Sequence, residues 1–220
     1  MYICPYFPKS VESFAVLGKG QSLLELEKYH NEFRHCFLVN NFDEEIPIIG
    51  SHLRDNQCVH FVNKLKTAVM RREHYRDLDI RHVQYCVSKV WGDRTLLGPA
   101  LRYRINGLKT HKLPKQLLRH NKNFGKGYEL KAPNTGLLAL WYALEIIQPK
   151  ILWVIGIDFY EADYVVRRPW ANPIEVQRDK MSRLDIPGEV GRAFSCHPGI
   201  AINMVTKYSQ FQSAKNVRLL

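Results

Sequence analysis

No apolar run in this chain reaches the roughly 20 residues that a membrane-crossing helix requires, and none of its five cysteines belongs to a C-x-x-C pair. The first absence predicts a chain that works outside the bilayer core. The second, with an odd number of thiols scattered at Cys4, Cys36, Cys58, Cys86 and Cys196, disfavours a zinc ribbon or disulfide scaffold and predicts buried free thiols. The opening residues MYICPYFPKS lack the basic start and apolar stretch of a secretory leader, so a cytoplasmic location is expected. Internal repeats and low-complexity tracts are absent. Acid is scarce: 21 Asp and Glu stand against 32 Lys and Arg, for a net charge of +11.

What is present is enough apolar material for a core. With 220 residues and 45% hydrophobic side chains, the chain is expected to form one domain carrying an insertion and a lid. Short apolar runs at Phe14 to Leu17, Cys36 to Val39, Gln57 to Val62, Ile80 to Val87, Ile151 to Ile155 and Asn216 to Leu220 read as strands. Helical patterns fall between several of them: after Leu23, through Leu65, Val69 and Met70, and from Asn134 or Thr135 to Ile147. Strand and helix in alternation predict an α/β fold, a single Rossmann-like, mostly parallel doubly wound sheet. A final helix is predicted over Pro198 to Phe211. Residues 90 to 130 read as an insertion with short helices, and 161 to 196, rich in Pro, Gly and charge, as a lid.

Two stretches carry chemistry. The first strand runs into Gly18-Lys19-Gly20-Gln21-Ser22, a turn that permits close backbone approach before a helix start; the third glycine of a dinucleotide fingerprint is replaced by Leu23, which disfavours NAD. The second stretch, PNTGLLALWYALEIIQPKILWVIGIDFYEADY, joins a helix beginning at Asn134, Thr135 and Gly136 to a strand that delivers Gly156, Asp158 and Tyr160 to its carboxyl end. Ligands bind at that edge of open α/β sheets. An ordinary core strand and loop explains the same residues equally well. Asn40 and Asn41, closing the second strand, can hydrogen-bond a base or ribose or simply form a turn.

His197 precedes Pro198, a residue suited to the first helical position. That predicts an imidazole at the positive end of the last helix, held neutral and able to accept a proton; a plain capping role is the alternative. Tyr160 and Tyr164 offer neutral hydroxyl donors, or pack as aromatics. Asp77-Leu78-Asp79 has the D-x-D form of a metal motif but follows a basic run instead of an apolar strand, so no metal is expected.

The order GKGQS turn, NN after the second strand, P-N-T-G helix, G-I-D-F-Y strand end and late histidine resembles the sialyltransferases that use CMP-activated sugars. It is most similar to the bacterial lipooligosaccharide enzymes and extends to the sialylmotifs of the animal ones. The likeness covers the first 42 residues and roughly 132 to 212; the middle does not align. It implies a GT-A-variant fold and metal-independent, inverting transfer of sialic acid, or another acidic sugar such as Kdo, from CMP, with no further cofactor. By the same resemblance Gly18, Lys19, Gly20 and Ser22 line the phosphate and ribose, and Asn40 and Asn41 contact the nucleotide. Asn134, Thr135, Gly136 and Asp158 hold the donor, Tyr160 and Tyr164 stabilise departing CMP, and His197 is the base. Two departures stand out: Lys19 replaces an asparagine common in relatives, and the Tyr160 to Tyr164 spacing is shorter.

Residues 89 to 131 carry eleven Lys or Arg against Asp93 and Glu129, a net charge of +9. Such a field predicts an anionic partner: an acidic or lipid-linked acceptor glycan, a membrane surface touched peripherally, or nucleic acid stacked on Trp91, Tyr103 and Phe124. The remaining alternatives are a solvated basic face, a related nucleotide- or diphosphate-binding enzyme built on a similar glycine turn, and a non-catalytic nucleotide-binding protein of the same fold. A homo-oligomer is compatible with all of these.

Overall fold

The computed structural model describes residues 4–62, 70–85, 107–117, 134–161, 163–167, 174–183, 185–208, 210–211 and 214–220. Among these described residues eight strands form one sheet: β1 (Ser13–Leu17), β2 (His35–Val39), β3 (Gln57–Val62), β4 (His82–Tyr85), β5 (Lys109–Lys112), β6 (Ile151–Ile155), β7 (Ala201–Val205) and β8 (Val217–Leu219). Their order is β5-β4-β3-β2-β1-β6-β7-β8, and every neighbouring pair is parallel. The chain winds outward from β1 to one edge, then returns to the other side of β1 through β6. The carboxyl ends of β1 and β6 therefore flank the point where the winding reverses, the place where a sheet of this kind opens a crevice.

Period-two alternation divides the core between the two faces of the sheet. On one face Phe14, Val16, Phe37, Val39, Phe61 and Val154 pack under α4 (Thr135–Tyr142), all of whose residues are buried. On the other face Ala15, Leu17, Cys36, Leu38 and Ile155 meet Leu23 and, in α1 (Leu26–Tyr29), Leu26, together with residues of two short helices, α2 (Ile46–Ile49) after β2 and α3 (Arg72–Asp77) after β3. A helix apolar on all sides must be covered on all sides, and α4 is. It continues as a π-helical turn over Ala143–Ile147, which ends at Gln148 in the left-handed region (φ 51°), just before Pro149. Cys36 and Cys58 oppose each other on β2 and β3, their sulfurs 3.3 Å apart, and burial pushes the Cys36 thiol up. Cys196 is exposed and Cys4 half-buried, which corrects the expectation that the thiols lie inside; Cys86 lies outside the described residues.

Three further expectations need correction. The predicted helix over Pro198 to Phe211 is instead β7, whose backbone pairs with both β6 and β8. A short apolar run fits either period, and the ladder decides it. The insertion contributes an edge strand: β5, KTHK, is polar enough that no apolar pattern announces it. The lid segment holds two helices, α5 (Ile174–Arg183) and α6 (Ile186–Ser195). Pro187 and Gly188 look like breakers there, yet Pro is at home in a first helical turn, and Ile186, Val190, Ala193 and Phe194 form a buried stripe. The predicted helix through Leu65 and Val69 lies outside the described residues, as do Trp91, Tyr103 and Phe124. Asp77 and Asp79 are exposed and lie beside Arg76 (3.8 Å) and Arg81 (3.0 Å). Among the described residues no helix is long and apolar enough to cross a membrane.

Candidate functional site

The loop after β1 and the loop after β6 cross in direct contact. The Gly18 N–H donates to Ile155 O (2.7 Å) and the Gly20 N–H to Gly156 O (2.8 Å). A Cβ on Gly18 would stand 2.2 Å from Gly156 O, and one on Gly156, whose φ is +75°, would stand 2.5 Å from Gly18 O. The glycines are needed for backbone to cross backbone. A Cβ on Gly20 would strike the Asp158 carboxylate at 2.5 Å.

Asp158 locks this crossing. Its Oδ2 accepts from the Ser22 N–H (2.7 Å), and its Oδ1 accepts from Ser22 Oγ (2.5 Å) and the Lys207 N–H (2.9 Å). Ser22 Oγ in turn accepts from the Gly156 N–H (2.9 Å). Both side chains are buried, so Ser22 and Asp158 act as an internal clamp that joins β1, β6 and β7 at their carboxyl ends. The Lys207 ammonium reaches Glu25 at 3.3 Å, and hydrogen bonds from Lys28 first and Lys207 second lower that carboxyl below the usual range.

Above the clamp lies a crevice open to solvent. It is lined by Gly18, Lys19, Gly20, Asn40, Asn134, Gly136, Asp158, Tyr160 and Tyr164, so nine of the expected residues meet there. Val39, Leu137, Leu140, Ile157, Ile186 and Val190 supply apolar walls. Asn134 caps α4, its side-chain oxygen accepting from the Gly136 N–H (2.7 Å). The Lys19 ammonium stands 5.0 Å from the centre of the Tyr164 ring, which meets Tyr160 edge to face at 5.8 Å. Residues 19 and 20 also pair with 164 and 165: Gly20 and Tyr164 form an antiparallel bridge, and the Val165 N–H donates to Lys19 O (2.9 Å). Lys19 is the only cation lining the crevice among the described residues.

Four expected residues are elsewhere. Ser22 is sealed in the clamp, Thr135 is buried in the helix start, and Asn41 accepts the Asp43 N–H (2.8 Å) in a turn. His197 is at the far end of the sheet. It follows the carboxyl end of α6, with Nδ1 2.8 Å from Ala193 O, and precedes β7, so a five-residue strand, roughly 13–17 Å, lies between it and the crevice edge. The argument from a positive helix end fails because the helix expected after His197 is a strand. His197→Ala is expected to leave nucleotide affinity and any transfer rate within about twofold of wild type. A loss approaching 10²-fold, the scale of a missing general base, would return it to the chemistry.

Sequence reasoning missed the support behind Asn40. Asn40 has a left-handed backbone (φ 67°), and its carbonyl is 2.6 Å from His60 Nε2, while His60 Nδ1 is 2.8 Å from the Tyr75 hydroxyl. A carbonyl only accepts, so Nε2 carries the hydrogen and Nδ1 takes one from Tyr75, whose oxygen accepts from the Met70 N–H (3.2 Å). The available signal was a lone polar residue on the buried face of QCVHFV. Burial lowers the His60 pKa to about 4, with the Lys19 charge adding to it against the opposing effects of Asn40 and Asp43. An unfolded imidazole near 6.5 binds a proton that the native one refuses. Stability is therefore retained above pH 6.5 and falls as pH drops towards 4, by about 3 kcal/mol in all. Urea midpoints measured from pH 7 to pH 5 should fall more steeply for wild type than for His60→Gln; equal slopes would contradict this.

The arrangement is a Rossmann-like α/β domain with a half-apolar crevice at the reversal point of an all-parallel sheet, suited to a small ligand with an anionic group. No known protein family and no curated protein sequence matches the chain.

Proposed function

We propose that the crevice binds a CMP-activated acidic sugar, with sialic acid the first choice and Kdo the second, and that the chain is an inverting, metal-independent glycosyltransferase of the sialyltransferase type with a GT-A-variant fold. The observation that carries this reading is the convergence of Gly18, Lys19, Asn40, Asn134, Gly136, Tyr160 and Tyr164, drawn from four distant stretches of sequence, on one crevice. A single lysine with two phenols at hand suits one phosphate better than two. The apolar walls suit a pyrimidine and sugar.

In the transfer, the bond from the anomeric carbon to the phosphate oxygen breaks and its electron pair leaves with CMP. The acceptor oxygen bonds to the opposite face of that carbon and gives its proton to solvent water, because Asp158, the one carboxylate lining the crevice among the described residues, has both oxygens taken up in the clamp. Tyr160, Tyr164 and Lys19 meet the charge that grows on the leaving phosphate. His197 has no part in this. The basic segment 89 to 131 draws in an anionic or lipid-linked acceptor at a membrane surface.

Thermal-shift measurements with CMP, UDP, GDP and NAD test the donor class. A ligand at a hundred times its Kd adds about 2.7 kcal/mol, a rise in Tm of roughly 5–10 °C for a chain of this size. A response to CMP alone supports the reading, and a response to NAD or UDP in its place would overturn it. Binding without sugar transfer from CMP-sialic acid or CMP-Kdo would leave a non-catalytic nucleotide-binding protein.

A further inference from the structure

Phe159 and Tyr160 are consecutive non-glycine residues with left-handed backbones, φ 49° and 61°. Each such residue is strained, because its Cβ comes too close to the following carbonyl oxygen, so the pair persists only if its surroundings hold it. Phe159 is held by packing: its ring stacks on Phe211 (5.7 Å, 8°) and meets Tyr208 edge to face (5.2 Å). The Glu161 N–H closes the turn on Asp158 O (2.9 Å). Tyr160, which lines the crevice, is held by its backbone. Arg178 on α5 donates from Nε to Tyr160 O (2.7 Å) and from a terminal nitrogen to Glu161 O.

The rigid guanidinium fork can grip two successive carbonyls at once, which a lysine ammonium cannot do with the same geometry. In return α5 gains an attachment to the site. Its described residues bury little: Glu175, Val176, Arg178 and Asp179 are exposed, and Ile174 and Gln177 half-buried. An element with so little burial opens easily unless tied down.

We infer that Arg178 is a positioning residue: by gripping the Tyr160 and Glu161 carbonyls it fixes the backbone that sets the Tyr160 ring at the crevice, and it thereby couples the docking of α5 to ligand affinity. By linkage a ligand that contacts Tyr160 tightens α5, and loss of the grip weakens that ligand. Only the identity of the ligand rests on the reading proposed above.

Two measurements test this, the first without ligand. Ring carbon and proton signals of labelled tyrosines, assigned with Tyr160→Phe and Tyr164→Phe, are compared between wild type, Arg178→Ala and Arg178→Lys. The edge-to-face contact of Tyr160 with Tyr164 makes each ring report on the other. Both signals should move in the alanine and lysine variants, while those of Tyr6 and Tyr142, stacked in the core, stay in place. Unmoved Tyr160 and Tyr164 signals would overturn the inference.

The second measurement is CMP affinity by calorimetry. Arg178→Ala should weaken binding about tenfold, Arg178→Lys should recover only part of it, and in a Tyr160→Phe background the alanine change should add less than twofold, because residues acting through one group are not additive. Full additivity would overturn the coupling. If wild type binds no CMP, the proposed donor is wrong, and the tyrosine signals still decide the role of Arg178.

Discussion

Gly156→Ala is expected to destabilise the fold by at least about 3 kcal/mol, because the added Cβ must enter backbone and not a yielding side chain. Its nearest neighbour would be Gly18 O at 2.5 Å, with Leu23 Cβ at 3.1 Å behind it. Two costs are mixed in that figure, the left-handed φ of +75° and the collision, and the molecule contains its own control. Gly107 has the same φ, and a Cβ there would meet nothing within 4 Å. Gly107→Ala therefore reports the conformational cost alone, roughly 1–2 kcal/mol, and the excess at Gly156 reports the collision. Chemical denaturation of the two variants measures both. Equal losses at the two positions would mean that the crossing loops separate freely, and the crevice would then lack a rigid floor. Gly18→Ala, at 2.2 Å from Gly156 O, should be at least as damaging.

Asp158→Asn should cost about 3–5 kcal/mol, on the scale of breaking a buried charged hydrogen-bond network. The carboxylate receives three donors, the Ser22 N–H, the Ser22 hydroxyl and the Lys207 N–H. An amide has one acceptor oxygen, so its NH₂ must face at least one of those donors in a dry environment. Ser22→Ala should be milder, about 1–3 kcal/mol, since it removes the hydroxyl and orphans the Gly156 N–H while leaving the backbone bond to Asp158 intact. If Asp158 instead contacted the ligand directly, Asp158→Asn would reduce affinity while sparing the denaturation midpoint. That split result is the one the clamp forbids.

These two predictions also mark how far the sequence could be read. The strand and turn at Phe14 to Ser22, the cap at Asn134 and the buried strand Ile151–Ile155 were legible because each is a local pattern: an apolar run, glycines or a short polar cap, then a change of period. Nine of the residues singled out as ligand contacts reach the crevice for the same reason, each sitting at a strand end or a helix start. What the pattern hid was the partner. Ser22 and Asp158 look like site residues from their types, and only the fold, which brings together positions 136 apart, reveals that they spend their polar atoms on each other.

The errors have a common physical origin. Ala201–Val205 has apolar residues that fit a helical face, and the hydrogen-bond ladder between β6 and β8 overrode that local preference. The mistake then carried His197 to the wrong end of the sheet, since a helix start and a strand start point the neighbouring side chain into different surroundings. Lys109–Lys112 was missed for the opposite reason: an edge strand can be polar on both faces and leave no periodic trace. In α6, Pro187 and Gly188 masked an amphipathic stripe that walls the crevice through Ile186 and Val190.

Hydrogen exchange with and without CMP tests the central claim most directly. The account predicts slowed exchange at residues 18–22, 40, 135–140 and 157–165, the backbone around the crevice, and unchanged exchange at 194–201 beside His197. Protection confined to the amino-terminal edge of the sheet, or no protection anywhere at saturating CMP, would contradict it.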